Sequence, residues 1–200
     1  MKKQNIILII LIATFALILI GASVLYKTIG TSGANNLVAG ETVPYGTGDA
    51  QGDSDSGDPE EDYAAPDFTV TDRDGNEVRL SDYFGKPIVL NFWASWCGPC
   101  KSEMPHFNEA AQRYDGDVIF LMVNMTDGSR ETVKSASAFI EKQGYTFPVL
   151  YDTKSEAAYI YSVYSIPTTY FIDSEGTLIA GATGAIDSDT LEVGIGMINK

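Results

Sequence analysis

Three patterns of apolar and polar positions divide the chain. From Ile6 to Tyr26 it runs without a charge, long enough to cross a bilayer as one helix, which takes about 20 apolar residues. Residues 28–62 show no apolar periodicity. From 63 to 200, short apolar runs alternate with stretches of helical spacing, as in a folded domain.

In that last part, Phe68-Thr69-Val70 and Glu77-Val78-Arg79-Leu80 flank Asp72-Arg73-Asp74-Gly75-Asn76, which predicts a β-hairpin with glycine in its turn. Ile88 to Trp93 reads as a buried central strand. After it, Cys100, Met104, Phe107, Ala111 and Tyr114 recur at spacings of four, three, four and three, predicting a helix to about Tyr114. Further strands are expected at 118–124, 147–151, 168–172 and 178–181, the last two joined by Ser174-Glu175-Gly176. Helices are expected at 131–143, with Val133, Ala136, Phe139 and Ile140 facing inward, at 155–161 and at 189–199. Strands alternating with helices before a late hairpin indicate an α/β sandwich on a mixed sheet. About 137 residues suit one domain with one core.

Composition then assigns the other two segments. Lys2 and Lys3 before the apolar run favour an inside N-terminus, which sends everything after Lys27 out. A cleaved signal peptide is the alternative, with small residues at Gly21-Ala22-Ser23. No cysteine follows the run, which excludes a lipid anchor on cysteine. Residues 28–62 end in an acidic stretch from Asp49 to Asp62, expected to be a disordered, self-repelling tether. Asp53, Asp55 and Asp58 are possible calcium ligands, but no EF-hand spacing follows them, so a solvated spacer is the better reading. The expected organisation is an anchor or signal segment at 1–27, a linker at 28–62 and a domain at 63–200. With 13 basic and 27 acidic side chains and a formal net charge of -14, the chain has no basic patch for nucleic acid.

The candidate chemistry lies where the central strand gives way to the helix. Trp96-Cys97-Gly98-Pro99-Cys100 holds the only two cysteines, three positions apart. If the helix begins near Cys97, unpaired N–H groups and the positive end of the helix dipole lie beside its sulfur and favour thiolate. Pro99 suits a first turn. Cys100 heads the buried stripe, which makes Cys97 the exposed nucleophile and Cys100 the shielded resolving thiol of a disulfide-exchange pair. A structural disulfide is the competing reading, although so short a loop restrains the unfolded chain little. Zinc needs about four ligands, and two cysteines and one histidine are too few, so no metal is expected. Covalent haem attachment wants histidine at 101, where Lys101 stands.

These residues carry a family resemblance. Trp96-Cys97-Gly98-Pro99-Cys100 after a buried strand resembles the active site of the thioredoxin superfamily. Ala65-Pro66-Asp67-Phe68, Phe147-Pro148-Val149, Ile166-Pro167-Thr168-Thr169-Tyr170-Phe171-Ile172-Asp173 and Gly176 resemble, in order, its membrane-anchored, extracytoplasmic TlpA/ResA-like branch. The resemblance covers roughly residues 64–200. It implies a thioredoxin-like three-layer sandwich with a mixed sheet, an N-terminal β-hairpin and a ResA-like central insert.

What the resemblance implies for the site goes residue by residue. Pro167 after Ile166 matches the proline held cis opposite the cysteines. Adjoining backbone there pairs with an extended substrate, so Trp96, Gly98, Pro99, Ile166 and Pro167 are expected to contact substrate. Glu103 matches a glutamate implicated in proton handling, and takes a proton from Cys100 if burial raises its own pKa. The alternative is a first-turn glutamate that complements the helix dipole. Asn91 departs from thioredoxin itself, which has a buried aspartate there; asparagine cannot ionise, so either a relay runs through Glu103 or water, or exchange proceeds without a strong general base, and the structural alternative is that Asn91 only satisfies a buried hydrogen bond. Trp93 and Trp96 are expected around the sulfurs, Pro105 matches a helix-kinking proline, and His106 is expected at the surface.

The function so implied is a thiol–disulfide oxidoreductase that reduces exported proteins such as apocytochrome c through Cys97 and Cys100. It would draw electrons from a CcdA/DsbD-type membrane protein. A monomer tethered through residues 6–26 with its domain outside the membrane is expected, and no cofactor beyond the redox-active disulfide. The alternatives are a non-catalytic exported binding module of the same fold, and a disulfide oxidase. A peroxide-reducing enzyme of the peroxiredoxin type needs Pro-x-x-x-[Thr/Ser]-x-x-Cys, which the residues before Cys97 do not supply.

Overall fold

The computed structural model describes residues 38–39 and 64–199. They form one mixed sheet of eight strands: β1 (Val38–Ala39), β2 (Thr69–Thr71), β3 (Glu77–Arg79), β4 (Ile88–Trp93), β5 (Ile119–Asn124), β6 (Val149–Tyr151), β7 (Thr168–Ile172) and β8 (Leu178–Thr183). The spatial order is β1-β8-β7-β4-β5-β6-β2-β3. Strand β4 lies parallel to β5 and antiparallel to β7, and β5 lies parallel to β6. Four α-helices and a 3-10 turn at Leu80–Tyr83 complete the described fold: α1 (Gly98–Arg113), α2 (Val133–Gln143), α3 (Glu156–Ile160) and α4 (Ser188–Ile198).

Side chains alternate across β4, which is buried along its whole length between two cores. Val89 and Trp93 face one core with Met104 and Phe107 of α1, Ala136 and Ile140 of α2, and Leu191 and Ile195 of α4. Ile88, Leu90 and Phe92 face the other, with Phe68, Leu80, Ala157 and Tyr161. Two cores on two faces of one sheet make three layers. The β2–β3 hairpin turns at Gly75, whose φ of 88° suits glycine, and Asp72 accepts hydrogen bonds from the turn's Asp74 and Asn76 N–H groups.

Three sequence expectations change. Helix α2 begins at Val133 rather than 131, because Thr132 caps it with its side chain accepting from Ser135 N–H. Val133 is exposed, since the first turn clears the sheet before the inward stripe of Ala136 and Ile140 begins. Val38–Ala39, within the expected tether, pairs antiparallel with Gly181 and Ala180 of β8. This apolar pair precedes the acidic run and covers part of the β8 edge, becoming the outermost strand of the sheet. The anchor expected at 6–26 and the aspartates weighed for calcium lie outside the described residues. Among those described, no helix is long and apolar enough to cross a membrane.

Candidate active site

Strand β4 ends at Trp93 and the chain turns through Ala94-Ser95-Trp96 into α1, with Cys97 as the N-cap. Cys97 N–H donates to Ala94 O, closing the turn. Its Sγ accepts from Cys100 N–H at 3.1 Å, so the sulfur sits where the helix presents unpaired donors. Cys97 and Cys100 are joined as a disulfide. Cys100 is sealed in the core at 0 % exposure.

Cys97 is less open than its expected role as the exposed nucleophile suggests. It is 4 % exposed, with its Sγ 3.7 Å from the carbonyl oxygen of Ile166. The cause is a rim: Trp96, Gly98 and Pro99 stand exposed around it, and the Ile166-Pro167 loop covers the remaining side. Of the two cysteines, Cys97 keeps the small exposure there is, 4 % against 0 % for Cys100. The Ile166-Pro167 peptide is cis, and Pro167 itself is buried. A cleft of about 240 Å³ lined by Trp96, Met125, Val163, Tyr164 and Ile166 opens alongside.

Glu103, three residues beyond Cys100 on α1, is 1 % exposed. Its Oε1 accepts from Asn91 Nδ2 at 2.9 Å and its Oε2 from Ile186 N–H at 3.0 Å. Burial pushes the carboxyl up to about 7, while the donors from Ile186 and Asn91 pull the other way by favouring its charged form. Asn91 also donates to Thr169 Oγ1 at 3.0 Å, so it links β4, β7 and α1 through one amide. Its Oδ1 has no partner among the described residues.

The other predicted residues are placed as follows. Trp93 is buried against Phe139, and Trp96 is 39 % exposed with the Arg130 guanidinium 3.5 Å from its ring centroid. Helix α1 runs unbroken through Pro105. His106 is half-buried on α1. Among the described residues, no group of three or more His, Cys, Asp or Glu side chains is arranged to hold a metal.

One residue next to the site was not singled out in the sequence. Glu131 is 0 % exposed, and its Oε2 accepts from both Ser95 N–H and Ser95 Oγ, at 3.1 and 2.8 Å. A carboxylate buried outright is unusual. Its only sequence signal is its place before α2, where it reads as an ordinary first-turn acid.

The AhpC/TSA family pattern matches residues 62–180, which span the hairpin, both cysteines, Glu103 and Pro167. The chain belongs to the AhpC/TSA family. Within it, the chain is 41 % identical over 129 residues to thiol-disulfide oxidoreductase ResA of Geobacillus kaustophilus (strain HTA426), covering 64 % of this chain and 72 % of that protein. Among solved structures it is similar to StoA from Bacillus subtilis, at 26 % identity and a TM-score of 0.56 over 66 % of this chain and 98 % of that one. It is also similar to the pneumococcal exposed lipoprotein thioredoxin Etrx1 of Streptococcus pneumoniae strain TIGR4. That match has 35 % identity and a TM-score of 0.54, covering 64 % of this chain and 96 % of that one. This AhpC/TSA member has the thioredoxin-like fold and is a thiol–disulfide oxidoreductase. Leu90 and Ala94 stand where the peroxide-reducing pattern requires proline and threonine or serine.

Proposed function

We propose that this protein reduces disulfides of exported proteins, with its domain held outside the membrane by residues 6–26. The observation that carries this reading is the asymmetry of the pair: Cys97 caps α1 at the bottom of an open rim, and Cys100 lies sealed beneath it. In the reduced protein the Cys97 thiolate attacks a client disulfide. A Cys97–client S–S bond forms, the client's own S–S bond breaks, and one client sulfur leaves as thiolate. Cys100, giving its proton to Glu103, then attacks Cys97 Sγ. The mixed disulfide breaks, the Cys97–Cys100 bond forms, and the second client sulfur leaves. Two electrons have passed to the client, and its two thiolates take up one proton released again by Glu103 and one from solvent, to which Cys97 had given its own.

Trp96, Gly98, Pro99 and Ile166 form the surface against which the client chain lies, with Pro167, expected there from the sequence, buried behind it and the Ile166 carbonyl as a hydrogen-bond acceptor beside Cys97 Sγ. The oxidised pair is returned to dithiol by a membrane thiol donor of the CcdA/DsbD type. The chemistry needs no cofactor beyond the two sulfurs, and the protein works as a monomer. Apocytochrome c is the proposed client, as the family resemblance of the sequence implies.

Replacing Cys100 with Ser removes the resolving thiol, so clients should accumulate as mixed disulfides on Cys97. Identification of the attached proteins would name the clients. No covalent adduct above that of a Cys97→Ser control would favour a non-catalytic binding module instead.

A further inference from the structure

The turn that carries Cys97 is held from outside by the segment between β5 and α2. Glu131 reaches under it and takes both donors of Ser95, two residues before Cys97. Its other oxygen, Oε1, lies 3.4 Å from Asn124 Nδ2 and 3.4 Å from Ser135 Oγ. The same Asn124 amide is 3.5 Å from Trp93 O, and Met125 N–H donates to that carbonyl at 2.9 Å. From above, Arg130 stacks on Trp96, the residue between Ser95 and Cys97. The segment is itself shaped by Asp127, whose Oδ1 accepts from Ser129 N–H and Glu131 N–H. Adjacent residues 130 and 131 thus grip adjacent residues 96 and 95 on two sides.

We propose that Glu131 is a positioning residue for disulfide exchange: through Ser95 its buried carboxylate sets where Cys97 Sγ lies relative to the first N–H groups of α1. The inference rests on the exchange reading above and adds to it a part for the segment between β5 and α2. A buried carboxylate is costly unless its oxygens are fully hydrogen-bonded. Here two of the four bonds that offset that cost, and the two shortest, come from Ser95 of the active-site turn. A misplacement of the reacting atom by a fraction of an ångström slows a reaction strongly. The Cys97 thiolate also depends on its alignment with Cys100 N–H.

The test uses the full reduced chain carrying Glu131→Ala, Glu131→Gln or Ser95→Ala. It reads the rate of insulin disulfide reduction, the thiolate titration midpoint of Cys97 and the thermal midpoint. Glutamine keeps an acceptor for Ser95 without the charge, so Glu131→Gln should stay within about twofold of wild type in rate, with an unmoved thiolate midpoint. Glu131→Ala should lower the rate by about tenfold at temperatures where the protein is folded, and raise the thiolate midpoint. Ser95→Ala trims a half-exposed side chain, so it keeps the test open if Glu131→Ala fails to fold; it should move both readouts in the same direction by less. Wild-type rate and midpoint in Ser95→Ala, or losses that track only the unfolded fraction, would overturn the proposal. A lowered midpoint in Glu131→Gln would overturn it too, because the charge and not the position would then be what Cys97 senses. Absence of insulin reduction by wild type would instead count against the exchange reading itself.

Discussion

At the scale of single residues, the proposed exchange depends on where one proton sits. Glu103 is buried beyond Cys100, and its carboxyl is pushed up to about 7 by that burial. Below the unfolded value of 4.5 it is protonated in both states, and the stability it contributes is fully present. As pH rises through the folded value, the native state must charge a buried carboxylate, and that stability is lost. The wild type should therefore lose on the order of 3 kcal/mol relative to Glu103→Gln between about pH 4 and pH 8, read by denaturant unfolding. Exchange should show the opposite trend. Its rate should fall as pH drops through about 7, where Glu103 gains its proton, and Glu103→Gln should lack that inflection. Identical pH–rate profiles in the two proteins would reduce Glu103 to a structural acid. Cys97 and Cys100 were legible as the only two cysteines, at a strand-to-helix corner, whereas Glu103 was singled out through the family resemblance. It did not reveal that Asn91 donates to Glu103, which depends on how β4 and α1 pack across twelve residues. Glu131 stayed hidden for the same reason, since its partner Ser95 is 36 positions away.

At the scale of elements, the strands that bury both faces were the easiest to read. Strand β4 matches its expected bounds because an apolar run between Pro87 and the active-site turn has only one way to be covered on two sides. The start of α2 was harder, because Val133 fits the stripe of Ala136 and Ile140 and invites an earlier start, whereas the cap at Thr132 decides where the helix begins. Helix α4 shows a constraint that periodicity does not carry. At Gly194 a methyl group would come within 2.2 Å of the Phe171 ring on β7, so the helix lies against the sheet with no room for a side chain. Gly194→Ala should therefore destabilise the protein by about 2 kcal/mol or more, despite alanine's better helix propensity. A lowered denaturant midpoint at unchanged slope would bear this out. An unchanged or raised midpoint would show that Phe171 yields at little cost.

At the scale of the whole molecule, the sheet with its two cores holds three separate pieces of chain at one end of β4: the cysteine turn, the Ile166-Pro167 loop and the segment that bears Glu131. The three-layer arrangement was legible in the alternation of strands and helices. The added strand β1 was not, since two residues are too few to show a period. Which way electrons flow belongs to this assembly and not to any one residue, because the protein around a dithiol sets how much its reduced and oxidised forms differ in free energy. The most direct test is therefore the reduction potential of the Cys97–Cys100 pair in the full chain, measured by equilibration with a thiol buffer of known potential. A disulfide reductase predicts a value near that of thioredoxin, about -270 mV, whereas a value near about -120 mV would mark an oxidant and contradict the account.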